Sequence, residues 1–140
     1  MPQRKGFLIG KFMPPHKGHM YMIQEAQQQV DQLTIMLFWK TTEPISGPQR
    51  VKWLRKLFPE ITILECSDNH PIDYSDPAIW DLWIESIRKT YKEIPHLVFG
   101  SEEYIETLAH RLGAQHHYID CDRIAFPISA RWIRKQPWIF

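Results

Sequence analysis

Between Gly10 and His19 the chain reads Gly-Lys-Phe-Met-Pro-Pro-His-Lys-Gly-His, with two imidazoles, His16 and His19, three residues apart around Gly18. An imidazole donates a hydrogen bond when neutral and adds positive charge when protonated, so the pair suits an anion, phosphate above all. The spacing brings both rings to one side of a helix's first turn, and the glycine admits a close approach by ligand or backbone. Taken alone, His-x-x-His also fits a surface pair, a capping arrangement or half of a metal site. A metal site has the least support, because Cys66 and Cys121 form no C-x-x-C spacing and no H-E-x-x-H occurs. Gly6 to Lys11 is one residue short of a P-loop and has Phe12 where Ser or Thr belongs.

A second stretch that can hold an anion lies near the C-terminus, where Phe126-Pro-Ile128-Ser129-Ala130-Arg131-Trp-Ile133-Arg134 begins with a helix-capping serine. Arg131 and Arg134 can both project from that helix start, and guanidinium groups there can grip phosphate oxygens beside Ser129 and its amides. A capped helix carrying solvated arginines is the plain structural alternative.

These residues need a scaffold, and the hydrophobic pattern supplies one. Phe7, Leu8 and Ile9 form a short apolar run bounded by glycines, whereas Met22, Ile23, Ala26 and Val30 recur at helical spacing. The histidine motif therefore sits on a strand-to-helix turn, where the first amides of the helix are expected to donate to an anion. Leu33–Trp39 reads as a strand covered on both faces. Pro48 opens a helix stopped by Pro59, and Ile61–Leu64 is a third strand. Ser67–Asp76 is dense in Ser, Asp, Asn and Pro and reads as a long loop, with Asp76 or Ser75 capping a helix from Pro77. Leu97–Gly100 is a fourth strand, Glu102–Leu112 a fourth helix ending at Gly113, and His117–Ile119 a fifth strand.

Strand and helix alternate throughout, which predicts an α/β fold: a single Rossmann-like domain over residues 1–140, with a mostly parallel five-stranded sheet and helices on both faces. Ligands of such sheets sit outside the carboxyl ends of the strands, so the first turn and the loops after Trp39, Cys66 and Gly100 should face one crevice. No internal repeat or low-complexity tract interrupts the pattern.

The 140 residues are 44% hydrophobic, enough for one core and too few for two comfortable domains. Seventeen basic and sixteen acidic side chains leave a net charge of +1, so no whole-molecule field recruits nucleic acid or an anionic membrane, and any anion site must be local. Two cysteines make no disulfide framework and fit a reducing, cytoplasmic setting. No apolar run approaches spanning length, and Lys11 interrupts the only one near the N-terminus. The six tryptophans can serve as stacking surfaces or as core.

The His-x-Gly-His segment resembles the signature of the adenylyl- and cytidylyltransferase superfamily. Joined to Ile128-Ser129-Ala130, Gln49-Arg50 before Trp53, Trp80-x-x-Trp83 and Phe99-Gly-Ser101-Glu102, it makes almost the whole chain resemble one domain type. That type is the adenylyltransferase domain of bifunctional nicotinamide mononucleotide adenylyltransferase/nicotinamide riboside kinase proteins. The resemblance implies transfer of the adenylyl group of ATP to nicotinamide mononucleotide, giving NAD and pyrophosphate, with Mg²⁺ accompanying ATP. It implies His16, His19 and Arg134 as the catalytic residues. It further implies Gly10, Lys11, Phe12, Lys17, Gly18, Ser101, Glu102, Ser129 and Arg131 around ATP and its phosphates, and Arg50, Trp80 and Trp83 around the mononucleotide. No dedicated protein metal site is expected.

The sequence departs from the family at Arg131, which stands where threonine is usual. Because no P-loop follows before Phe140, kinase activity is not expected, and because the first strand starts within a few residues of Met1, neither is a helix-turn-helix segment. The partners implied are the two small molecules, without nucleic acid or membrane, and a homo-oligomer is left open. Two alternatives stand beside this reading: a nucleotidyltransferase for another phosphorylated acceptor, and a weakly catalytic NAD- or ATP-sensing module, for which Arg131 is the motive.

Overall fold

The computed structural model describes residues 3–119. Five strands, β1 (Lys5–Gly10), β2 (Gln32–Phe38), β3 (Thr62–Cys66), β4 (Leu97–Gly100) and β5 (Gln115–Tyr118), alternate with four helices, α1 (Lys17–Gln29), α2 (Gly47–Leu57), α3 (Pro77–Thr90) and α4 (Tyr104–Leu112). The strand order is β3-β2-β1-β4-β5 and every pairing is parallel. The expected mostly parallel sheet is thus wholly parallel among the described residues. From β1 the chain winds outward through β2 and β3, then crosses back to β4 and β5, so the order reverses between β1 and β4. Carboxyl ends of strands diverge at such a switch and leave a crevice.

The apolar runs are continuous because the sheet is covered twice. Leu8, Ile35, Leu37 and Phe99 face one layer with Ile23 and Ala26 of α1 and Val51 and Leu54 of α2. The alternate residues Phe7, Met36 and Val98 face the other, with Ile87 of α3 and Ile105 and Leu108 of α4. Successive strand residues point to opposite faces, so both parities must be apolar.

Several boundaries depart from expectation for local reasons. β3 runs to Cys66 rather than stopping at Leu64, since Glu65 and Cys66 continue the register against Leu37 and Phe38. Helix α4 starts at Tyr104, not Glu102, and has no side-chain cap, so Ser101 does not cap it. It ends as expected at Gly113 in the left-handed conformation (φ 80°), the αL stop that glycine adopts without a Cβ clash. Strand β5 then begins at Gln115, two residues before the expected start, because an exposed edge strand tolerates Gln and His where an apolar signal was sought. Helix α3 starts at Pro77 on Asp76, whose side chain accepts from the Ala78 amide. Among the described residues no helix is long and apolar enough to cross a membrane.

Candidate functional site

A cleft of about 710 Å³ opens at the carboxyl ends of the strands. Its walls come from the β1–α1 turn, from Trp39 after β2, from the loop after β3, and from Ser101 and Glu102 after β4. The four connections expected to share one crevice do so.

His16 is the N-cap of α1, in extended conformation, and it is paired with His19 in a reciprocal cap. His16 Nδ1 accepts from the amides of Gly18 (3.1 Å) and His19 (3.4 Å), while His19 Nδ1 accepts from the amide of His16 (3.2 Å). The rings stack with centroids 3.8 Å apart and planes 20° from parallel. Both Nδ1 atoms are acceptors, so each neutral ring carries its proton on Nε2 and donates from there. This corrects one expectation: the amides of Gly18 and His19 are spent on His16 rather than presented to an anion. The imidazoles that line the cleft carry donors in their place.

Gly10 and Phe12 fix the His19 ring. A Cβ on Gly10 would lie 2.9 Å from Cε2 of Phe12, so only glycine lets the ring settle there. Phe12 is buried at φ 49°, a left-handed conformation that costs a side-chain-bearing residue energy. That turn places its ring edge-on to His19, centroids 4.7 Å apart.

Behind the turn lies an ion cluster in which the Arg50 and Glu43 side chains are buried and Lys11 is exposed. Arg50 is fully buried, donating to the Lys11 carbonyl at 3.0 Å and to Glu43 Oε1 at 2.9 Å. Lys11 Nζ meets the other Glu43 oxygen at 2.9 Å and remains on the cleft wall. Burial alone would raise the Glu43 carboxyl, but the hydrogen bonds from Lys11, the Lys40 amide and Arg50 together hold it below its ordinary value. Arg50, expected beside the mononucleotide, is therefore not on the cleft wall and instead clamps the turn that carries Lys11. Lys17 is exposed and also off the wall.

Opposite the histidines stand Trp80 and Trp83, one helical turn apart on α3. Trp80 is buried, with its Nε1 donating to the Tyr74 carbonyl at 3.0 Å and Arg111 6.0 Å from its ring centre. Trp83 is half-buried and donates to the Pro71 carbonyl at 2.8 Å, with Phe38 and His70 edge-on to it at 5.3 and 4.9 Å. Tyr74 stacks on Tyr104, centroids 5.7 Å apart, and joins the loop after β3 to the wall near Glu102. Burial pushes both phenols upward, with Glu102 adding to the effect.

Sequence reasoning missed Trp39 as a wall residue and the pair Glu43 and Ser86 as supports. The signal for Trp39 was its place at the end of a buried strand, where cleft residues gather. Ser129, Arg131, Arg134 and Cys121 lie outside the described residues; Cys66 is a buried free thiol. Among the described residues no three His, Cys, Asp or Glu side chains gather as a metal site.

A family model described as cytidylyltransferase-like matches residues 7–135. The trifunctional NAD biosynthesis/regulator protein NadR of Escherichia coli (strain K12) is 31% identical over 95% of this chain and 37% of its own length. The chain thus spans little more than a third of that relative. The nicotinamide-nucleotide adenylyltransferase of Methanococcus maripaludis (strain C6) is 27% identical over 64% of this chain and 55% of its own length. In fold, the chain is similar to a crystal structure of a NadR protein in complex with NAD and AMP-PNP. The TM-score is 0.68 at 21% identity, covering 97% of this chain and 43% of that one.

Proposed function

From the premise that this chain belongs to the cytidylyltransferase-like family, we propose that it transfers the adenylyl group of ATP to nicotinamide mononucleotide, releasing pyrophosphate and forming NAD. The observation that carries the reading is the stacked His16–His19 pair facing Trp83 across one strand-end cleft, with phosphate donors on one side and an aromatic wall on the other. Relatives named for NAD biosynthesis and nicotinamide-nucleotide adenylylation support it.

In this reading a 5'-phosphate oxygen of the mononucleotide attacks the α-phosphorus of ATP, and the bond to the β-phosphate oxygen breaks. The nucleophile is already anionic, so the protein's task is to hold two repelling anions in line and to stabilise charge on the α-phosphate and the leaving pyrophosphate. Nε2–H of His19 serves the α-phosphate, Nε2–H of His16 and the Lys11 ammonium the neighbouring oxygens, and the Gly18 turn allows close approach. Ser101 and Glu102 face the adenosine. Trp83, the less buried of the two, offers its ring to the nicotinamide, with Trp80 behind it. Arg134, Arg131 and Ser129 are assigned to the β- and γ-phosphates by family resemblance alone, and the domain reading over 1–140 rests on the same ground. Mg²⁺ accompanies ATP as a co-substrate ion by the same family resemblance, and no step is assigned to it.

Mass detection of NAD after incubation with ATP, Mg²⁺ and nicotinamide mononucleotide tests the proposal. An adenylylated product formed only with another phosphorylated acceptor would replace it with the second enzymatic reading.

A further inference from the structure

Four residues spaced by three along α3 hold the loop 67–76 in reverse order. Trp80 binds Tyr74 and Trp83 binds Pro71, as described. One turn on, the Ser86 hydroxyl donates to Asp68 Oδ2 at 2.7 Å and lies 2.7 Å from His70 Nε2. Lys89 Nζ reaches the same Asp68 oxygen at 3.1 Å. Ser86 differs from the other three in binding two loop residues, and it is only 4% exposed.

A serine hydroxyl has one proton. Ser86 gives it to Asp68 and so accepts from His70, which fixes His70 as the Nε2–H tautomer. The hydrogen bond from Ser86, then that from Lys89, hold the Asp68 carboxyl below its ordinary value, so it stays an acceptor near neutral pH. His70, held in this way, stands edge-on to Trp83 at 88°. Asp68, Tyr74 and Trp83 all line the cleft, whereas Ser86 does not.

We infer that Ser86 is a positioning residue for the acceptor: it registers the loop 67–76 on α3, and through His70 and Asp68 it sets the pocket that Trp83 offers to the nicotinamide ring. This rests on the mononucleotide reading above. The phosphate side is built from β1, α1 and the Glu43–Arg50 clamp, none of which the hub touches. Tyr74 carries the far end of the loop to Tyr104, beside the residues assigned to adenosine, but Ser86 grips the end at Asp68 and His70, so removing its hydroxyl affects the mononucleotide far more than ATP.

The test compares Ser86→Ala, His70→Ala and the double variant in full kinetics and in chymotrypsin cleavage after Tyr74. Ser86→Ala should raise KM for nicotinamide mononucleotide about tenfold while kcat and KM for ATP stay within about twofold. Cleavage after Tyr74 should quicken by about threefold or more. Because both residues act through one bond, the double variant should be little worse than the worse single variant. Equal changes in both KM values, or additive effects, would overturn the proposal, as would unchanged KM and cleavage. If Ser86→Ala does not fold, His70→Ala removes the loop side of the same bond and carries the comparison. If the wild-type chain makes no NAD, the functional reading fails and the acceptor role with it, and the cleavage rates still decide whether Ser86 registers the loop on α3.

Discussion

His16 and His19 cap one another's backbone: each Nδ1 accepts a main-chain amide of the other, and the rings stack 3.8 Å apart. One pair of side chains thus starts the helix and presents the donors, and the two roles can be separated by mutation.

Asparagine keeps a good N-cap acceptor but has no group where Nε2–H stands. His16→Asn should therefore unfold like wild type while turnover drops about a hundredfold. His16→Ala should lose both turnover and about 1 kcal/mol of stability. Urea titration with a parallel NAD assay checks the split, and wild-type stability in His16→Ala would show that the cap contributes nothing.

The two tryptophans should part company. Trp80 is 8% exposed, with its Nε1 bound to the Tyr74 carbonyl and Arg111 over its ring, so Trp80→Ala should cost about 3 kcal/mol of stability. Trp83→Ala should raise KM for the mononucleotide at least about fivefold with KM for ATP little changed. Thermal unfolding and two-substrate kinetics read both effects; the reverse pattern would assign the ring contact to Trp80.

Gly47 lies under Trp39 so closely that a Cβ there would sit 2.0 Å from Cγ and 2.6 Å from Cβ of the tryptophan. These atoms are near the backbone and cannot swing aside as a side-chain tip would. Gly47→Ala should displace Trp39 from the cleft wall and cost about 1–3 kcal/mol, seen as a lower Tm and a shifted tryptophan emission.

Glu43 carries a pH dependence of defined sign. Its folded carboxyl binds a proton less tightly than the unfolded one, so the stability it adds is present above its ordinary value of 4.5 and is lost as pH falls through the lower folded value. Glu43→Gln leaves Arg50 buried without its anion and should cost about 3 kcal/mol near neutrality. Below the ordinary value the two stability curves should converge. Parallel Tm curves down the acid range would show that Glu43 is not the group responsible.

The order of elements was legible because a sheet covered on both faces demands unbroken apolar runs, such as Leu33–Phe38, while helices show their own period. The polar edge strand was half hidden, since Gln115 and His116 carry no apolar signal. At the candidate site, the histidine spacing pointed to a turn that lines the cleft, but nothing in the sequence distinguishes an amide offered to phosphate from one already taken by His16. The burial of Arg50 was illegible for a similar reason: its partners, Glu43 and the Lys11 carbonyl, come from a loop and a turn that only the fold brings together. Each tryptophan was expected to stack or to pack. The geometry adds a third use, an indole N–H that pins the loop 67–76.

The most direct test of the account is a coupled assay of NAD formation from ATP, Mg²⁺ and nicotinamide mononucleotide by the wild-type chain and by His19→Ala. Turnover by the wild type that falls about a hundredfold or more in the variant is the predicted result. A His19→Ala variant that makes NAD at the wild-type rate would remove the stacked histidines from the chemistry and contradict the account.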